Sequence, residues 1–530
     1  VMIGTSIKTD KTKRGREHIM RESGILMPVF SLPSKYGIGC FSKEAYQFVD
    51  FLEETKQSYW QILPLTTTSY GDSPYQSFSA IAGNTSFIDF DILRDEELLL
   101  EEDYQNIFYG ENLERVDYAA VYESRQIVLR KVVKKFQESK KWMSELEVFQ
   151  KENKNWLDDF SEYMAIKGYF SNKALQDWED MEIRRREKKS LEKYREMLKE
   201  EILYHRITQF LFFYQWKNLK KYANQKGIQI IGDMPIYVSS DSVEMWTMPE
   251  LFKVDKENRP LYVAGCPADE FSPDGQLWGN PIYDWKKHKE KKYSWWIHRI
   301  RESLKMYDVI RIDHFKGFSD YWQIDKDAIV AKEGTWEAGP GIELFKTIRK
   351  ELGEVPIIAE NLGFIDEKAQ KLLEDCGFPG MNILQFAFEG GADNKDLPYH
   401  YIKNSVSYTG THDNPVIYAW FEDQTEEVKR YVCQFLNIRE GETIPQAMIR
   451  GIYSSVSILA IVTMQDLLEK GKEARMNTPS LMGGNWEWRM RAEELSFDKK
   501  GFLRHMTGLY GREREDKVEE EDEVTNNKCS

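Results

Sequence analysis

The amino-acid sequence predicts an α/β protein: a (β/α)8 TIM barrel with a large, mainly helical insertion between strands 2 and 3 and a loop-rich insertion between strands 3 and 4. Two observations carry this. Eight apolar, strand-like runs recur along the 530 residues with helical patterning between them, the signature of a parallel sheet or barrel. Three of these runs end on an acid, at Asp313, Glu360 and Asp413. Strand side chains alternate, so Val309, Arg311 and Asp313 share one face, and Ile310 and Ile312 share the other. Charge therefore gathers at the C-terminal end of an otherwise apolar strand, where a parallel barrel assembles its active site.

In chain order, the first two runs span 24–30 and 59–65, and the third spans 228–238. The fourth, 308–313, ends on Asp313 and the fifth, 355–360, on Glu360. Residues 381–388 follow, then 406–413 ending on Asp413, and 455–465 close the set. Residues 66–227 are too many for a simple βα connection. Leu, Phe, Tyr and Trp recur at helical intervals within 155–180 and 182–223, which marks a helical subdomain of about 94–222 packed against the barrel. Its charged stretch 181–190 reads as a solvated helix face. The second insertion, about 239–292, is rich in Gly, Pro and aromatics and suits a substrate-binding loop subdomain. Residues 1–22 read as a flexible arm and 511–530, with a Glu-Glu-Glu-Asp-Glu run, as a disordered acidic tail. That leaves 23–510 as a single catalytic barrel with insertions.

A net charge of −15 argues against nucleic acid as the partner. No apolar run approaches the roughly 20 residues that cross a bilayer, and the basic first twenty residues lack the apolar stretch of a signal peptide. The expectation is a cytoplasmic protein, monomer or homodimer, with no membrane association. Cys40, Cys266, Cys376, Cys433 and Cys529 are scattered singly, which fits neither a disulfide framework nor a zinc site.

Paired carboxylates at strand ends suit glycoside chemistry, in which one group attacks the anomeric carbon and another protonates the leaving oxygen. Arg311 is placed to hold Asp313 ionised, and a proton donor at Glu360 requires a raised pKa. A structural ion pair between Arg311 and Asp313 is the alternative.

Beyond these acids, a series of motifs covers roughly 23–491. They are Gly-Asp-Ser-Pro-Tyr ending at Tyr75, Gly-Asp-Met-Pro-Ile-Tyr-Val around Asp233, and the stretch 266–281 that contains Asp269 and Trp278. Arg-Ile-Asp-His-Phe at 311–315, Ala-Glu-Asn-Leu-Gly at 359–363, Thr-His-Asp-Asn at 411–414, and the segments 474–479 and 484–489 complete it. In this order the set resembles the amylomaltase (disproportionating enzyme) family of 4-α-glucanotransferases, glycoside hydrolase family 77, relatives of the α-amylase clan.

The resemblance implies that Asp313 is the nucleophile of a β-glucosyl-enzyme, Glu360 the general acid/base, and Asp413 the carboxylate that supports the transition state. It implies that Arg311 and His412 surround the sugar at the scissile bond and that His314 lines the acceptor side. Tyr75 would be a sugar-stacking ring, Asp269 and Trp278 anchors in a loop over the glucan, and Asp233 either a support behind the site or a sugar contact. The implied activity is retaining transfer of an α-1,4-glucan segment to the 4-hydroxyl of glucose, maltooligosaccharides or amylose, with no metal or organic cofactor required. An α-1,4-glucan hydrolase and a non-catalytic glucan-binding protein are the alternatives. Three places depart from the family pattern: Lys316 stands where Arg is expected, 322–326 replaces a Trp-x-Ile-Pro-Ala segment, and 478–484 modifies a Pro-Gly-Thr segment.

Overall fold

A computed structural model describes residues 21–514 apart from 70, 269–273, 364, 480 and 482. All eight expected strands form, as β1 (Glu22–Leu26), β2 (Tyr59–Gln61), β3 (Gln229–Met234), β4 (Val309–Ile312), β5 (Ile357–Ala359), β6 (Gly380–Ile383), β7 (Ser405–Tyr408) and β8 (Leu459–Thr463). They pair in parallel in the order β6-β7-β8-β1-β2-β3-β4-β5. Between β5 and β6 the Ala359 N–H donates to the Pro379 carbonyl at 2.9 Å. The Met381 N–H beside it donates to Asn361 Oδ1 at 2.7 Å, so the sheet nearly closes. A Cβ at Gly380 would lie 2.8 Å from that Asn361 oxygen, which explains the glycine at this seam.

Most strands are shorter than their apolar runs. Hydrophobicity persists past the strand ends because the connecting segments are also buried, as in the 3-10 turn Leu384–Phe388 after β6. Inside the barrel, Leu26, Ile231, Ile358, Ile383, Tyr408 and Ile461 pack together. Ile310 and Ile312 face outward into the core shared with the surrounding helices. Arg311 and Asp233, opposite each other in the β3/β4 register, cap the interior at its C-terminal end.

Residues 66–227 contain the helices Tyr118–Glu138, Lys140–Glu152, Leu157–Tyr169 and Lys199–Gln225. The first, second and last of these share one apolar core with the barrel, while Leu157–Tyr169 packs into others; in the shared core Phe41 meets Phe212 and Trp216, each at 5.3 Å between ring centroids. The long last helix also fixes the segment that follows β2. Gln209 exchanges two hydrogen bonds of 2.8 Å with the backbone of Gly83. Gln215 does the same with Asp89 at 2.7 and 3.0 Å. After β3, Asp241 is held by Lys167 and Tyr163, each at 2.6 Å, and this ion pair is almost fully buried.

A second, four-stranded antiparallel sheet stands over the barrel mouth in the order Gln276–Pro281, Tyr262–Cys266, Asp320–Asp325, Thr335–Ala338. Its first two strands come from the insertion between β3 and β4. The other two come from the connection after β4, which the sequence pattern did not single out. At the chain ends, residues 1–20 and 515–530 lie outside the described residues. Tail character does not begin at 511, however. Arg512 is fully buried and donates to the carbonyls of Tyr453, Glu22, Ser457 and Ser455, closing the base of the barrel. Arg21 likewise bonds the carbonyl of Ser455 at 2.7 Å, and β1 already starts at Glu22.

Candidate active site

Asp313 and Glu360 follow directly on β4 and β5, each locked by the strand before it. The Asp313 N–H donates to the Met234 carbonyl, and the Glu360 N–H to the Ile312 carbonyl, both at 3.0 Å. The chain then turns sharply: His314 sits at φ 50°, a left-handed conformation that a non-glycine residue adopts only when its surroundings enforce it. This turn aims the His314 N–H at Glu360 Oε2, 2.7 Å away, while the Leu362 N–H reaches Oε1 at 2.6 Å. Both carboxylate oxygens are thereby oriented by rigid backbone.

Asp413 arrives on the loop after β7. Thr411 closes on Asn414 by two hydrogen bonds of 2.9 and 2.8 Å, and this turn presents His412 and Asp413. Asn477 Nδ2 grips Asp413 Oδ1 at 2.6 Å, and His412 Nε2 lies 3.2 Å from Oδ2. The same His412 nitrogen contacts the Tyr75 hydroxyl at 2.9 Å, and the two rings stack at 5.2 Å. Tyr75 in turn donates to Asp233 at 2.7 Å. Arg311 Nη1 donates to both Asp233 oxygens at 2.7 Å, while its Nη2 reaches Asp313 at 3.2 Å. One chain of polar contacts therefore runs from Asp413 through His412, Tyr75, Asp233 and Arg311 to Asp313.

These groups surround a cleft of about 1020 Å³ whose walls include Asp313, Glu360, Asp413, Tyr75, Trp278 and His314. Arg311 and His412 line it too. Trp278 packs edge-on to the His314 ring at 4.9 Å. Of the two places open to Asp233, the sugar contact is not the one it occupies: its side chain is fully buried and lines a small cavity behind the cleft, where it bonds Arg311 and Tyr75. Asp269 lies outside the described residues. Sequence reasoning gave no role to Asn477 or Trp486, although both fall in motifs it quoted. Trp486 packs 5.7 Å from Tyr75, and nothing in its local pattern distinguished it from a core tryptophan.

Arg311 favours the ionised form of Asp313, as the spacing suggested, but does not fully offset the burial of that carboxyl. Burial pushes the Asp313 carboxyl up to about 7, with Asp233, Glu360 and Asp413 adding to it; Arg311 opposes, but its shorter bonds go to Asp233. Glu360 is raised as well, by burial and by Asp413, against Arg311 and its two backbone donors. Burial also works to raise Asp413, yet His412 and Asn477 overcome it and bring that carboxyl down to about 2. Burial works to lower His412, but the charge and hydrogen bond of Asp413, with Asp233 adding to them, oppose it and the net direction is upward. His314 is driven down to about 4 by burial and is neutral near pH 7. Among the described residues, no cluster of His, Cys, Asp and Glu is arranged to hold a metal ion.

A nearly closed parallel barrel with carboxylates from separate strand ends over aromatic walls defines the class of (β/α)8 enzymes that act on glycosidic bonds. A family model described as 4-alpha-glucanotransferase, glycoside hydrolase family 77, matches residues 27–495, and the chain belongs to that family. It is 51% identical over 500 residues to a 4-alpha-glucanotransferase of Streptococcus pneumoniae, covering 94% of this chain and 99% of that one. A 4-alpha-glucanotransferase of Clostridium butyricum is 46% identical over 488 residues, covering 92% and 100%. Among solved structures, the amylomaltase from Streptococcus agalactiae in complex with acarbose superposes with a TM-score of 0.92 at 55% identity, covering 93% of this chain and all of that one. Among the described residues, no helix is long and apolar enough to cross a membrane.

Proposed function

We propose that this protein is a retaining 4-α-glucanotransferase that cuts an α-1,4 bond of a maltooligosaccharide and passes the donor segment to the 4-hydroxyl of another glucan or of glucose. The observation that carries this is the meeting of Asp313, Glu360 and Asp413, from three strand ends, on one cleft. Asp313 attacks the anomeric carbon as Glu360, in its protonated form, delivers its proton to the departing 4-oxygen. The bond to the leaving glucan breaks and a β-glucosyl ester on Asp313 forms. Glu360, now a carboxylate, takes the proton from the acceptor hydroxyl, whose oxygen displaces Asp313.

The raised proton affinity of Glu360 suits the first step, and its two backbone donors stabilise the anion left after it. Asp413, kept ionised beside His412 and Asn477, offers negative charge to the oxocarbenium-like transition state. Tyr75 and Trp278 offer ring faces to the apolar sides of the sugars, with the buried Trp486 packed behind Tyr75.

Incubation with maltotriose tests the activity. Glucose together with maltodextrins longer than the substrate is the expected product set; shorter sugars alone would identify a hydrolase. Slow-substrate trapping in a Glu360→Gln variant is expected to leave a glycosyl mass adduct on Asp313. An adduct on another residue would refute the nucleophile assignment.

A further inference from the structure

We propose that Trp336, with Trp322 beside it, forms an outer glucan-binding platform on the acceptor side of the cleft, taking a sugar unit of an α-1,4-glucan chain beyond the bond being remade; this rests on the glucanotransferase reading above. Trp336 lies on the edge strand Thr335–Ala338, whose residues are all exposed, and is itself 42% exposed. Strand residues so placed are ordinarily polar or charged. Yet this ring is held firmly. It pairs with Trp322 at 5.2 Å in an edge-on arrangement, and the Trp322 indole N–H is tied to the Ala331 carbonyl at 2.7 Å. The Lys316 ammonium sits 4.6 Å from the Trp336 ring centroid, itself buried and held by Asp366 at 2.8 Å and Asp320 at 3.2 Å. A large apolar ring kept rigid and partly open to solvent costs little further entropy when a ligand covers it.

Position gives the platform its occupant. Leu277, Gly265, Trp322 and Trp336 stand opposite one another in register, forming one row across the four strands. The opposite face buries Ala264 and Tyr321 in the core. The row begins inside the cleft, because Leu277 lines it and is 46% exposed, and it reaches Trp336 after three strand spacings, about 14 Å. The direction follows from Glu360. A general acid/base faces the leaving and accepting sugars, so its own loop marks the acceptor side. On that loop Leu362 lines the cleft, and Asp366 four residues later anchors Lys316 beneath Trp336. The cation below the ring is already balanced by two carboxylates, so the exposed surface suits a neutral ligand with apolar C–H faces, as a glucose unit has, and not an anion.

The test is transfer kinetics with acceptors of increasing length, glucose, maltose and maltohexaose, in wild type, Trp336→Ala and Trp336→Phe. The expected result for Trp336→Ala is a KM for maltohexaose raised roughly threefold to tenfold, the scale of one aromatic contact. The kcat and the KM for glucose should stay unchanged, and Trp336→Phe should recover most of the loss and guard against a folding defect in the alanine variant. Equal KM values for all three proteins, or a rise of the same size for glucose and maltohexaose, would overturn the platform. So would unchanged kinetics with a loss of dimer mass by sedimentation in Trp336→Ala, which would assign the surface to a second copy. If wild type itself produces no longer maltodextrins, the transferase reading fails. The platform is then judged by retardation in amylose-containing native gels, expected to be weaker for Trp336→Ala than for wild type and equal if the proposal is wrong.

Discussion

Arg311 spends its strongest contacts on Asp233 and not on Asp313. The ion pair with Asp233 is almost wholly buried, with side chains 3% and 0% exposed, and one guanidinium nitrogen lies 2.7 Å from both carboxylate oxygens. The neighbouring nitrogen is left for Asp313 at 3.2 Å. Asp233 is thus the anchor that makes a buried arginine tolerable beneath a reaction centre, and it frees Asp313 to respond to its other neighbours.

Removing that anchor leaves a buried cation uncompensated. Asp233→Ala is expected to lower unfolding free energy by about 3–5 kcal/mol and to abolish activity as Arg311 and Tyr75 lose their common partner. Urea unfolding monitored by tryptophan fluorescence, alongside a transfer assay on the folded fraction, checks both effects. Asp233→Asn, which still accepts from Tyr75, should fall between the two.

Asp313→Asn should inactivate the protein and stabilise it. The Asp313 carboxyl is raised to about 7, so the folded state holds its proton more tightly than the unfolded chain does. Between the ordinary carboxylate range near 4 and about 7, stability therefore falls as pH rises. A neutral amide removes that loss. Calorimetry should show a higher Tm for the variant at pH 8 and a difference that vanishes toward pH 4; an unchanged Tm at pH 8 would contradict the assigned direction.

For Asp413 the sign is opposite. Its carboxyl is lowered to about 2, so its pairing with His412 and Asn477 favours the fold above the ordinary carboxylate value and is lost as pH falls from about 4 toward 2. His412→Asn should move the Asp413 titration upward, and the acid limb of stability should steepen at a higher pH than in wild type. Carbon-13 titration of the Asp413 carboxyl reads this directly.

At the base of the barrel, Arg512→Ala removes the donor from the backbone carbonyls of five residues, Glu22, Ile452, Tyr453, Ser455 and Ser457. Leaving such groups buried and unpaired should cost at least about 3 kcal/mol, and ending the chain after Tyr510 should cost the same. The kcat of the folded population should be unaltered, because this clamp lies at the end of the barrel away from the strand C-termini. A shifted urea midpoint with unchanged kcat is the expected pair of results.

The barrel was legible because its evidence is local. Apolar runs of strand length, each followed by helical periodicity, are written residue by residue, and Asp313, Glu360 and Asp413 announced themselves by ending such runs. The antiparallel sheet over the mouth was not legible. Two of its strands belong to one connection and two to the next, and each is only four to six residues long, too short for alternation to stand out. Asn477 was missed for a related reason: its partner Asp413 is 64 residues away, and an asparagine in a loop carries no signal of what it will hold.

By itself the sequence determined the barrel, the family and the carboxylates that reach the mouth, because strand alternation and strand ends follow from covalent geometry. Tertiary structure alone decided how those carboxylates share charge. Proton affinity depends on burial and on neighbours brought from other strands: Arg311 turned to Asp233, His412 and Asn477 closed on Asp413, and Glu360 was caught between two backbone N–H groups. Distances of about 3 Å between residues far apart in the chain set these affinities, and such distances exist only once the barrel has closed.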